Sequence, residues 1–243
     1  VNRRPAARRR IDPRASGLVA ALLLALVAGT CGGTSPGREA PPPPKELAAA
    51  APATEPPRPR IVFLGDSLTA GLGVGMDEAY PAIVGRRVRA AGLDFEIVNA
   101  GVSGDTSAGG LRRLEWSLQG DARVLVLALG ANDGLRGLPT AEMERNLASI
   151  IEGARQRQVA VLLAGMEAPP NFGAAYTREF RQVYAALAAK YRVRFLPFLL
   201  DGVAGLPSLN QPDGIHPSPE GHRMIADLVW RELEPMLASA SRS

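Results

Sequence analysis

Only two histidines occur among 243 residues, and both fall within "DGIHPSPEGH", residues 213 to 222. An imidazole near neutral pH is the usual base for a hydroxyl nucleophile, which is too weakly acidic to lose its proton unaided. The serine best placed for such a partner is Ser67 in "FLGDSLTAG", residues 63 to 71, where an apolar run ends in a tight Gly-Asp-Ser turn. Two further stretches carry small and polar residues after apolar runs: "NAGVSGDTS", residues 99 to 107, and "LGANDG", residues 129 to 134. Gly104 lets the chain turn with its amide unobstructed. Asn132 offers a side-chain donor that does not titrate. A nucleophile, a base and hydrogen-bond donors are the parts of acyl transfer. Each also has a plainer reading, Ser67 as a helix cap, Gly104 as a loop glycine and Asn132 as a turn former.

The elements that must carry these residues alternate in type. "RIVFLG" (60 to 65), "FEIVNA" (95 to 100), "RVLVLALG" (123 to 130), "VAVLLAG" (159 to 165) and "RVRFLP" (192 to 197) are short runs dominated by Val, Ile, Leu and Phe. Such near-continuous apolarity suits parallel strands buried on both faces. Between them lie the helical stretches 79 to 92, 107 to 118, 140 to 157 and 174 to 191. In the last, 218 to 237, Met224, Ile225, Leu228, Val229 and Leu233 share one face. Five strands and intervening helices predict a doubly wound α/β fold, a three-layer α/β/α sandwich whose site lies at the carboxyl ends of the strands. The four polar stretches follow strands and converge on that edge.

The first sixty residues have a different composition. Residues 1 to 14 carry six arginines against Asp12, a local charge of +5 that leaves −1 for the rest of a chain whose net charge is +4. The sequence pI near 9.7 is therefore a property of the leader and gives no reason to expect nucleic-acid binding. After the arginines comes the uncharged run "GLVAALLLALVAGT", then Cys31, the single cysteine. Residues 1 to 31 are expected to be an export signal, because the apolar run is short for a membrane span; a short uncleaved anchor is the other reading. Cys31 followed by two glycines is similar to a bacterial lipoprotein signal, whose cysteine is lipidated, although Gly29 and Thr30 depart from the usual small-residue pair. Both readings put the protein outside the cytoplasm, in the periplasm or cell envelope, with membrane attachment through the N-terminus as an expectation. Residues 32 to 59, rich in Pro and Ala, predict an extended tether, and residues 60 to 239 a single domain.

Taken in order and spacing, "FLGDSLTAG", "NAGVSGDTS", "LGANDG" and "DGIHPS" resemble the four blocks of the GDSL, or SGNH, hydrolase superfamily. "GVGMDEAYPAIV" and "NAGVSGDTSAGGLRRL" are most similar to its arylesterase, acyl-CoA thioesterase I and lysophospholipase L1 branch. The resemblance spans residues 61 to 235. It implies the flavodoxin-like SGNH hydrolase fold, a cofactor-free serine esterase, and an acyl-enzyme formed from small or lipid-like acyl esters or thioesters. It also implies a triad of Ser67, Asp213 and His216, and an oxyanion hole of Ser67, Gly104 and Asn132. Asp213 lies three residues from His216, a spacing a turn can close, whereas His222 is expected to be a surface or capping side chain. Asp66, Asp105 and Asp133 are assigned no chemistry, and two of them are expected to fix loop backbones.

Residues 134 to 139 and 166 to 176 follow strands three and four and are expected to border the cleft, and within them Leu135, Leu138, Phe172 and Tyr176 are candidates for an acyl groove, with packing on their own helices as the alternative. Arg86, Arg87, Arg89, Arg112 and Arg113 are expected on solvated helix faces. With two histidines and one leader cysteine, no metal site is expected, and "GLGVG" lacks the lysine of a phosphate loop. A glycan deacetylase or an acyltransferase would use the same triad. A tethered binding module would keep the fold without turnover, against which the intact Ser67, Asn132, Asp213 and His216 argue.

Overall fold

The computed structural model describes residues 58–240, with side chains through residue 238. The expected leader, Cys31 and all but the last two residues of the expected tether lie outside the described residues. The chain enters the fold at Pro59, whose carbonyl accepts from Glu96 N–H at 2.8 Å.

Five parallel strands form one sheet: β1 (Arg60–Gly65), β2 (Glu96–Gly101), β3 (Ala122–Ala128), β4 (Ala160–Ala164) and β5 (Arg194–Leu196), in the order β2-β1-β3-β4-β5. The central strands have the apolar runs expected of two-sided burial: Ile61 to Leu64 and Val124 to Leu127 are fully buried. The order reverses direction at β1. The chain moves one strand outward to β2, then crosses back to build β3, β4 and β5 on the other side, which leaves a crevice between the carboxyl ends of β1 and β3.

The described residues also form eight α-helices, α1 (Ser67–Ala70), α2 (Tyr80–Ala90), α3 (Ser107–Arg112), α4 (Leu114–Ser117), α5 (Ala131–Leu135), α6 (Thr140–Gln156), α7 (Ala174–Tyr191) and α8 (Pro219–Ala240), and two short 3-10 helices, Pro170–Phe172 and Pro207–Leu209. α2 packs with α8, while α6 packs with both α3 and α7. The predicted apolar face of α8 is the one it buries, through Ile225, Leu228, Val229 and Leu233, with Met224 partly covered. No helix among the described residues is long and apolar enough to cross a membrane.

Three local departures from the sequence expectation have physical causes. The predicted helix 107 to 118 is broken at Arg113, which has φ −106° and ψ 6° and separates α3 from α4. The predicted strand 192 to 197 shortens because Arg192 takes the left-handed conformation that ends α7. The polar stretch after β3, where no helix is predicted, winds into α5 behind Gly130. Gly130 has φ +114°, and a Cβ there would fall 2.0 Å from the Tyr184 hydroxyl, so both the turn and the packing require glycine.

Candidate active site

The crevice at the switch between β1 and β3 receives one polar loop from each of four strand ends. β1 runs straight into Asp66 and Ser67. Asp66 is the cap of α1, its Oδ1 accepting from Leu68 N–H at 3.0 Å, so Ser67 is not the cap residue but the first helical one. Its first-turn N–H has no intrahelical partner. The freed hydroxyl faces the loop after β5: Ser67 Oγ lies 3.0 Å from His216 Nε2.

His216 is oriented from its other ring nitrogen, because Nδ1 lies 2.6 Å from Asp213 Oδ2. The i to i+3 spacing closes through a turn in which Asp213 Oδ1 also accepts the N–H groups of Ile215 (2.9 Å) and His216 (3.0 Å). Those bonds, led by the His216 backbone N–H and then its ring, pull the Asp213 pKa down to about 2. Asp213 is thus an anion at neutral pH, and the solvent that reaches its half-exposed side chain favours the same form.

Gly104 and Asn132 border the same space. Gly104 has φ +82° and open room around a would-be Cβ, so conformation and not crowding favours glycine. Its carbonyl accepts from Arg136 Nη2 at 2.9 Å. Asn132, in the first turn of α5, donates Nδ2–H to Asp105 O at 3.0 Å and approaches Asp66 Oδ2 at 3.4 Å. The first bond fixes the amide plane. The second is long, which leaves that N–H available to a stronger acceptor.

Ser67, Gly104, Asn132 and His216 line a cleft of about 740 Å³. Its remaining wall is mostly apolar and includes Leu135, Met166, Pro170, Phe198, Leu200 and Ile215. A volume of this size suits a small organic ligand. Of the four residues expected in an acyl groove, Leu135 lines this cleft and Leu138, Phe172 and Tyr176 do not. The Tyr176 hydroxyl donates to Leu138 O at 2.8 Å, and its ring packs on Phe172 at 5.4 Å. The aromatic pair therefore pins the loop after α5 to α7 instead of facing a ligand. The segment 166 to 176 does reach the cleft, through Met166 to Pro170 directly after β4; the wall residues that sequence reasoning passed over are Phe198 and Leu200, directly after β5. Proximity to the strand terminus was the available signal: within 166 to 176 the residues nearest β4 line the cleft, and Phe172 and Tyr176, further on, do not.

The three aspartates have distinct structural tasks. Asp133 accepts from Ser107 N–H (2.8 Å) and Ser107 Oγ–H (2.6 Å), fixing α5 to the start of α3. Asp66 caps α1, so two of the three hold loop backbones. Asp105 instead binds Arg113 at 2.6 Å. The expectation of a solvated face fails for Arg113, whose side chain is only 17% exposed.

His222 is likewise not on the surface. It is 1% exposed, its Nδ1 accepts from Tyr80 N–H at 3.3 Å, and its ring lies parallel to that of Tyr80. Sequence placed it correctly near a helix start but could not show α2 packing over it.

Four ordered loops at one sheet edge, with this serine, imidazole and carboxylate in contact, narrow the family, and comparison decides it. Residues 63–224 match the model of the GDSL-like lipase/acylhydrolase family. The chain belongs to the GDSL-like lipase/acylhydrolase family. Among its GDSL relatives, Esterase TesA of Pseudomonas aeruginosa is 42% identical over 178 residues, covering 73% of this chain and 89% of the relative. Thioesterase 1/protease 1/lysophospholipase L1 of Escherichia coli K12 is 35% identical, covering 73% and 84%. The crystal structure of TesA superposes on this GDSL chain with a TM-score of 0.70 at 41% identity, covering 73% and 99%.

Two buried titrations beneath the site oppose each other. Burial raises Asp66 from 3.8 to about 6, against the pull of the Leu68 and Asn132 hydrogen bonds. Between those values the folded state keeps a proton that the unfolded state has lost, so this group makes stability fall as pH rises, with its full cost above pH 6. Burial lowers His222 from 6.5 to about 4, against the Glu78 charge. The unfolded state then binds the extra proton, so His222 makes stability rise over nearly the same interval. The two slopes largely cancel in the parent. In His222→Asn, which keeps an acceptor for Tyr80 N–H, the Asp66 slope is exposed. Urea unfolding should then show the variant losing on the order of 2–3 kcal/mol relative to the parent between pH 4.5 and pH 7. Parallel curves for parent and variant would show that His222 does not titrate as assigned.

Proposed function

We propose that this protein is an exported serine esterase that cleaves carboxylic esters or thioesters of apolar acyl groups through an acyl-enzyme on Ser67. The observation that carries the reading is the relay Ser67 Oγ, His216 Nε2, His216 Nδ1, Asp213 Oδ2, with successive contacts of 3.0 and 2.6 Å, opening on the largely apolar cleft. Family membership supports ester-bond hydrolysis, and the relatives named esterase and thioesterase support acyl substrates. Export rests on the arginine-led apolar leader ending at Cys31.

In the first half-reaction His216 Nε2 takes the Ser67 proton as Oγ attacks the acyl carbon. Asp213 holds the imidazole in the tautomer whose Nε2 is free to accept, and stabilises the imidazolium that forms. The tetrahedral oxygen gathers negative charge, met by the N–H groups of Ser67 and Gly104 and by Asn132 Nδ2–H. His216 then gives its proton to the departing alcohol or thiol. Water enters, loses a proton to His216, and releases the acid in the mirror sequence. Initial rates on p-nitrophenyl esters and acyl-CoAs of graded chain length test this reading. Turnover should follow acyl chains that fill the cleft, and no release from any ester or thioester would refute it.

Asn132 separates chemistry from structure. Its amide meets charge present only in the transition state, so Asn132→Ala should lower kcat by roughly 100 to 1,000-fold with little change in KM. Steady-state kinetics on folded protein checks this, and a near-parental kcat would leave the oxyanion with backbone donors alone.

A further inference from the structure

The break between α3 and α4 places Arg113 where its guanidinium reaches the ends of β1 and β2 and the loop after β2 at once. Nε donates to Asp105 Oδ2 at 2.6 Å, Nη1 to Ala100 O at 2.6 Å and Nη2 to Gly65 O at 2.7 Å. Gly65 is the last residue of β1, immediately before Asp66 and Ser67. Ala100 is the penultimate residue of β2. Asp105 follows Gly104, and its own carbonyl accepts the Asn132 amide at 3.0 Å. One side chain therefore ties the strand carrying the nucleophile to the loop carrying one proposed oxyanion donor and, through Asp105, to the other. A planar fork of fixed donors can do this; an ammonium on a flexible stem cannot hold three acceptors in one plane.

We propose that Arg113 is a positioning residue for the reaction, setting the spacing between Ser67 and the donors Gly104 and Asn132. The inference rests on the ester-hydrolase reading and adds a residue that touches no substrate. A structural pin alone would affect folding. A positioning pin must also affect the chemical step of molecules that remain folded, since small misplacement of donors is costly in the transition state.

The test uses the purified full chain as parent, Arg113→Ala, Arg113→Lys, Asp105→Asn and the Arg113→Ala/Asp105→Asn double variant. Thermal unfolding, p-nitrophenyl ester kinetics and active-site titration with a fluorophosphonate are read on each. Per titrated site, Arg113→Ala should lose roughly 10 to 100-fold in kcat with KM within about 3-fold, and added ethylguanidinium should restore part of kcat. Arg113→Lys should stay impaired. Asp105→Asn, which keeps the backbone carbonyl and side-chain shape, should lose less, and the double variant should be little worse than Arg113→Ala. Parental kcat per titrated site in Arg113→Ala, or in Asp105→Asn should the alanine variant not fold, would reduce Arg113 to a structural pin and overturn the proposal. So would a loss confined to KM. Failure of the underlying reading has a separate signature: a parent without turnover, or fluorophosphonate labelling undiminished in Ser67→Ala.

Discussion

Ser67→Ala and His216→Ala should each lower kcat by roughly 10⁵ to 10⁶-fold, and the double variant should be hardly worse than either. The nucleophile without its base keeps its proton, and the base without its nucleophile has none to take, so removing the second partner removes nothing still in use. The 3.0 Å contact between Ser67 Oγ and His216 Nε2 makes the pair one unit. KM should move little, because the apolar wall proposed to hold the acyl chain is untouched. Burst and steady-state assays with a p-nitrophenyl ester measure both parameters. Additive losses in the double variant would mean that the two side chains serve separate steps.

Asp213→Asn should cost roughly 10³ to 10⁴-fold in kcat. An asparagine Oδ1 can still accept both N–H groups in the turn, so the loop and its bonds to Ile215 and His216 have a way to persist. The amide cannot stabilise imidazolium, and in that same orientation its Nδ2–H takes the place of Oδ2 and offers His216 Nδ1 a donor, favouring the tautomer that puts a proton on Nε2 facing Ser67. The loss should therefore fall on rate and not on fold, with thermal unfolding close to parental. His222→Ala supplies the contrast. Its turnover should stay within about tenfold of the parent while stability drops by about 1–3 kcal/mol, since a buried ring and the acceptor for Tyr80 N–H are removed. A dead His222→Ala enzyme beside an active His216→Ala one would reverse the assignment of the base.

Much of the fold was legible because parallel strands announce themselves. Runs such as "RIVFLG" and "RVLVLALG" are apolar on consecutive residues, a pattern only two-sided burial explains, and the polar stretches after them mark the sheet edge. The proposed chemical residues were legible only as a set: Ser67, Gly104 and Asn132 each have a plainer structural reading alone, and it is the four stretches in order and spacing, with His216 in the last, that resemble the GDSL blocks. What escaped was everything set by contacts between distant segments. His222 and Arg113 are polar side chains on helical stretches, and local pattern assigns such residues to solvent. Only the packing of α2 over His222, and the carbonyls of Gly65 and Ala100 beside Arg113, show otherwise. The cleft wall was legible only in part: Leu135 lines it as expected, whereas Tyr176 and Phe172 pack on each other, the alternative left open for them, and Met166, Ala168 and Pro170 of the same segment face the cleft.

The central claim is a covalent bond between substrate and Ser67 Oγ. The direct measurement is rapid acid quench of the parent during turnover of a p-nitrophenyl ester, followed by peptide mass analysis. The account predicts one acyl group per chain, on the peptide containing Ser67, appearing in step with the burst of p-nitrophenol and missing in Ser67→Ala. Turnover with no acylated Ser67 peptide, or with the acyl group on another residue, would contradict it.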